Sequence, residues 1–78
     1  MYLEDKLNPG ERERMTDEDY AFYRRALIKG RLRQLSDDIV QAAAGESVPG
    51  IEDRKAEFVA LHNELRALEG KEPRNMEV

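Results

Sequence analysis

The chain has 78 residues, no cysteine, one histidine, 38% charged residues and a net charge of -4. These figures exclude a disulfide framework, a thiolate metal site and a histidine cluster, and a mixed-sign acidic balance argues against a general nucleic-acid binder. A chain this short makes one domain with a thin core, so association with another copy is the expected source of further burial.

The opening stretch MYLEDKLNPGERER places Tyr2, Leu3 and Leu7 ahead of the breaker pair Pro9 and Gly10. One turn of helix followed by a loop is predicted there, and residues 1–15 are read as a flexible arm. Its early apolar residues are suited to folding back onto the helices or reaching a neighbouring subunit, while the alternating charges after Gly10 favour water. The first residues lack a signal peptide's apolar centre and no apolar run approaches membrane-spanning length. A cytoplasmic location without a membrane partner is therefore expected.

A helix start is marked at Thr16, whose side chain is suited to capping the exposed amides. Asp17, Glu18 and Asp19 follow at the positive end of the helix dipole, Asp19 at the capping-box position, with Met15 and Tyr20 as a staple. No proline interrupts until Pro49, and VQAAAG ends on a glycine suited to a left-handed cap, so the first helix is predicted over 17–44, about 42 Å long. Ile28, Leu32, Leu35, Ile39 and Ala42 alternate spacings of four and three, the seam of a helix packing lengthwise on another. Gly30 within it reads as a close helix approach, a local kink or a tolerated surface glycine.

GESVPGIED reads as a turn, and a second helix is predicted over 51–69 with the seam Ile51, Arg54, Phe58, Leu61, Leu65 and Leu68, in which Arg54 is the one polar position. Gly70 is a natural stop, and KEPRNMEV reads as a disordered tail over 71–78. The expected fold is all-α: an antiparallel two-helix hairpin spanning 16–70 that completes a helical bundle by self-association. Folding about the turn sets Phe58 near Asp37 and Leu65 near Gly30, which leaves Tyr20, Phe22 and Tyr23 on an overhang of the first helix.

The stretch DYAFYRRALIKGR carries the chemistry worth weighing. At about 100° per residue, Tyr20, Phe22 and Tyr23 point in three directions, so one partner helix cannot cover all three. Tyr20, Phe22, Tyr23, Arg24, Leu27 and Arg31 are accordingly assigned to a partner-binding surface. Arg25, Lys29 and Arg33 stand at four-residue steps as a like-charged row that needs compensation. Three sources are open: the acids Glu57 and Glu64 on the second helix with Asp37 on the first, an acidic protein partner, or the phosphate of nucleic acid or a nucleotide.

No catalytic constellation emerges. Ser36, Asp37 and His62 match a triad only in composition, because a serine inside a helix lacks an exposed elbow and oxyanion donors. The scattered glycines cannot cradle a phosphate. His62, between Phe58 and Leu65, reads as a packed flank residue with no companion ligand, and neither a metal nor a cofactor is expected.

In length, acidity and lack of cysteine the chain resembles small accessory proteins of phages and mobile elements, a likeness of size and style that rests on no motif. It implies an adaptor or inhibitor directed at host machinery. The leading expectation is thus a non-enzymatic protein-binding adaptor or inhibitor that also forms a homodimer or higher oligomer. The alternatives are a nucleic-acid or nucleotide binder using the basic row, and a structural or assembly subunit.

Overall fold

The computed structural model describes residues 2–78, and among them the fold is all-helical: α1 spans Glu11–Arg14, α2 Asp17–Ala43 and α3 Ile51–Leu68. The turn of helix expected before Pro9 forms after Gly10 instead. Glu11 N donates to the Asn8 carbonyl at 3.0 Å, and the Glu11 carboxylate accepts from Asn8 N at 3.1 Å. Pro9 presets the bend between them, and Gly10, at φ 89 and ψ -18, takes the left-handed third position of a type II turn.

Both long helices end where their punctuation places them. Thr16 Oγ1 accepts from Asp19 N at 3.0 Å and caps α2. Beyond Ala43, Gly45 adopts φ 92, and Glu46 N and Gly45 N donate back to Gln41 O and Ala42 O, both at 3.1 Å. That is the Schellman arrangement, which satisfies carbonyls the helix leaves open. The same pattern closes α3, with Lys71 N donating to Arg66 O at 2.8 Å.

Ile28, Leu35 and Leu61 are buried, and Leu3, Leu32, Phe58, Leu65 and Leu68 pack around them. Every helical member of this cluster is a seam position, so the four-three spacing did select the inward faces. Ion pairs border the seam: Arg24 to Glu64 at 2.5 Å, Arg31 to Glu57 at 2.6 Å and Asp38 to Arg54 at 2.7 Å. Positions descend along α3 as they ascend along α2. Arg54, the polar member of the α3 seam, also donates to the Pro49 carbonyl at 3.3 Å, which ties the turn to the helix it precedes. A Cβ at Gly30 would meet nothing within 4 Å, so that residue marks open surface and not a close approach.

Residues 71–78 carry no helix and lie back along α3. Asn63 accepts from Arg74 N at 2.7 Å and donates to Arg74 O at 2.9 Å, and Arg66 Nε donates to Glu72 O at 2.6 Å. Val78 reaches a groove shared with Ile39, Ala42 and Ile51. The molecule is a slab of 46 × 28 × 16 Å with a radius of gyration of 14.3 Å. A compact globule of this length has about 11.5 Å, so much of each helix faces water.

Candidate functional site

Two surfaces of α2 divide the residues that the sequence singles out. On the first, the N-terminal arm lies across the start of the helix. Residues 3–7 are non-helical. Leu3 packs on the core cluster, and Asp5 Oδ1 accepts from Arg24 Nη1 at 2.8 Å. Tyr20 donates its hydroxyl proton to the other Asp5 oxygen, and the Tyr23 hydroxyl accepts from Lys6 N at 2.8 Å. The guanidinium of Arg12 sits 4.1 Å from the centre of the Tyr20 ring, a cation–π contact from α1.

Arg24 is the hub of this surface. Only 3% exposed, it gives Nε and Nη2 to the two oxygens of Glu64 at 2.5 and 2.9 Å and Nη1 to Asp5. The Glu64 hydrogen bond raises its already high pKa further, against an opposing effect of burial. Arg31 makes the corresponding fork with Glu57, Nε at 2.6 Å and Nη2 at 3.0 Å, and its pKa is raised chiefly by that bond. The phenol of Tyr20 is also pushed up, first by its hydrogen bond to Asp5 and then by burial. Of the six residues assigned to partner binding, Tyr20, Tyr23, Arg24 and Arg31 thus have partners within the chain. Half-buried Leu27 lines a groove between the arm and α2 with Leu3, Lys6 and Gly30.

The second surface is the outward face of α2. Phe22, Lys29, Arg33 and Val40 fall within about 20° of one line along the helix, with Arg25 about 60° to one side. Phe22 is 70% exposed and Val40 64%. Among the described residues, the side chains of Arg25, Lys29 and Arg33 make no ion pair or hydrogen bond. Glu57 and Glu64, the acids weighed as their neutralisers, pair instead with Arg31 and Arg24 on the inward side. The like-charged row therefore has neither of those acids as an ion-pair partner, and Phe22, Arg25, Ala26, Lys29 and Glu69 line a shallow groove of about 280 Å³.

His62 stacks on Phe58, ring centres 6.3 Å apart and planes at 14°, with Nε2 buried and making no hydrogen bond. Among the described residues no group of three or more histidine, aspartate and glutamate side chains is placed to hold a metal, and no helix is long and apolar enough to cross a membrane. Sequence reasoning missed Asp5 as a binding residue; the available signal was the alternation Leu3, Asp5, Leu7 in a segment that cannot continue as helix through Pro9. The chain matches no protein-family model, no curated protein and no solved structure.

Proposed function

We propose that this chain is a non-enzymatic protein-binding adaptor or inhibitor that docks an acidic partner on the outward face of α2. The observation that carries the reading is Phe22, 70% exposed, beside Arg25, Lys29 and Arg33, whose side chains form no ion pair among the described residues. An exposed aromatic flanked by cations supplies an anchor together with a charge field that selects a partner. Phosphate is the second reading, and Glu69 in the same groove, which repels any anion, does not separate it from an acidic protein.

Two features of the fold belong to the same proposal. α2 and α3 form an antiparallel hairpin, supported by the descending order of the Arg24–Glu64, Arg31–Glu57 and Asp38–Arg54 pairs. The hairpin self-associates, supported by a buried apolar core of only Ile28, Leu35 and Leu61 among the described residues, with Phe22 and Val40 left in water.

The test is capture from a host lysate on the immobilised full chain, compared with Phe22→Ala and with the double variant Arg25→Glu, Lys29→Glu. A partner retained by the native chain and lost by both variants supports the reading; no specific partner, or capture indifferent to both, overturns it. A gel-shift titration separates the phosphate reading, because binding to nucleic acid must fall steeply as salt rises.

A further inference from the structure

The arm is seated in a built receptor. Arg24 is buried and oriented by the Glu64 fork from α3, which leaves Nη1 aimed at a carboxylate supplied from outside the two long helices. Tyr20 and Tyr23 add a donor and an acceptor for the same short segment, and an apolar seat two residues earlier takes Leu3. The arm itself is thinly attached: Tyr2 is 55% exposed, and the Asp5 side chain keeps 30% of its surface in water. Releasing it withdraws Leu3 alone from the core cluster and leaves Ile28, Leu35 and Leu61 together.

A type II turn joins the arm to α1, with Gly10 at φ 89 in the position that side chains rarely tolerate. We propose that two copies of this chain exchange arms about that turn, residues 3–6 of each filling the Arg24, Tyr20 and Tyr23 receptor of the other. The occupant is a second copy because residues 3–6 are the segment whose fit to this receptor the structure displays, and every contact is kept when only its chain of origin changes. Asp5 meeting buried Arg24 supplies the charge complementarity. This site lies away from the line of Phe22, Lys29 and Arg33, so it stands or falls separately from the docking reading.

Gly10→Val in the full chain tests it, since a β-branched residue resists the left-handed turn and favours the opened arm. Sedimentation should show self-association about tenfold tighter than native, returned toward the native level by adding Asp5→Asn. A folded Gly10→Val chain that stays monomeric at every concentration overturns the proposal, as does a dimer indifferent to Asp5→Asn. Should Gly10→Val fail to fold, a labelled synthetic peptide of residues 2–8 is titrated against full-length Asp5→Asn, in which Glu64 still holds Arg24. Saturable binding, lost when the peptide's own aspartate is replaced by asparagine, supports exchange; no binding refutes it.

Discussion

Arg24 joins the two ends of the fold, because Asp5 reaches it from the arm and Glu64 from α3, and the cation is the one member of the trio hidden from water. That asymmetry predicts an order of mutational cost. Glu64→Ala removes both hydrogen bonds of the fork from a buried guanidinium and should cost about 3 kcal/mol. Arg24→Met fills the same space with apolar atoms and frees two carboxylates that are each about one-third exposed, so about 1–2 kcal/mol is expected. Urea denaturation of the two variants measures the order directly, and the reverse order would remove Arg24 as the hub. Tyr20 provides a second check. Its phenol is raised in the folded chain, so below about pH 10 both folded and unfolded states hold the proton and the Asp5 contact contributes fully. Above that, the unfolded state loses its proton first, and the contribution falls as pH climbs through the folded value. Ultraviolet titration should show a late-ionising tyrosine in the native chain, absent in Tyr20→Phe and shifted back toward the ordinary range in Asp5→Asn.

Two glycines, one within helix α2 and one just past its end, have opposite roles. Gly45 ends the helix at φ 92, where a side chain meets the left-handed penalty, so Gly45→Ala should destabilise by about 1 kcal/mol. Gly30 lies in mid-helix with open space where a Cβ would go, and Gly30→Ala should stabilise by about 1 kcal/mol. Paired thermal melts of the two variants should move in opposite directions; a loss for Gly30→Ala would mean that the helix needs that gap. At the other end, Thr16→Ala removes the acceptor for Asp19 N and should cost about 1 kcal/mol. These caps explain why α2 and α3 begin and end within a residue of where their punctuation puts them. The displaced turn at α1 has the same origin, since Asn8, Pro9, Gly10 and Glu11 together form a turn that starts a helix and cannot end one.

At the scale of the whole molecule, a 16 Å thin slab with three buried apolar side chains among the described residues presents large faces to its surroundings. The outward face of α2 concentrates Phe22, Arg25, Lys29 and Arg33, and salt should reveal what covers it. Docking of an acidic partner is strengthened by the cationic row, so capture should weaken as ionic strength rises. Self-association on the same face brings like charges together and should strengthen with salt. Sedimentation and capture at low and high salt therefore give opposite slopes for the two occupants, and a flat response in both would detach the cationic row from either role.

Local information settled the elements. Helix caps, glycine stops and four-three seams depend on neighbours within a few residues, and for that reason Thr16, Gly45, Leu35 and Leu61 were legible from the chain alone. The ion-pair scheme was not. Arg24, Arg25, Arg31 and Arg33 look alike in one dimension, yet a rotation of 100° per residue sends two inward to Glu64 and Glu57 and leaves two outward that form no ion pair among the described residues. Likewise, the composition of residues 19–31 supplied aromatics and cations, whereas only the path of the arm decided that Tyr20 and Tyr23 would be covered and Phe22 exposed. The sequence determined which residues form helices and which faces turn inward, because those follow from backbone periodicity. The tertiary structure decided which charges are satisfied, because that depends on contacts between residues tens of positions apart.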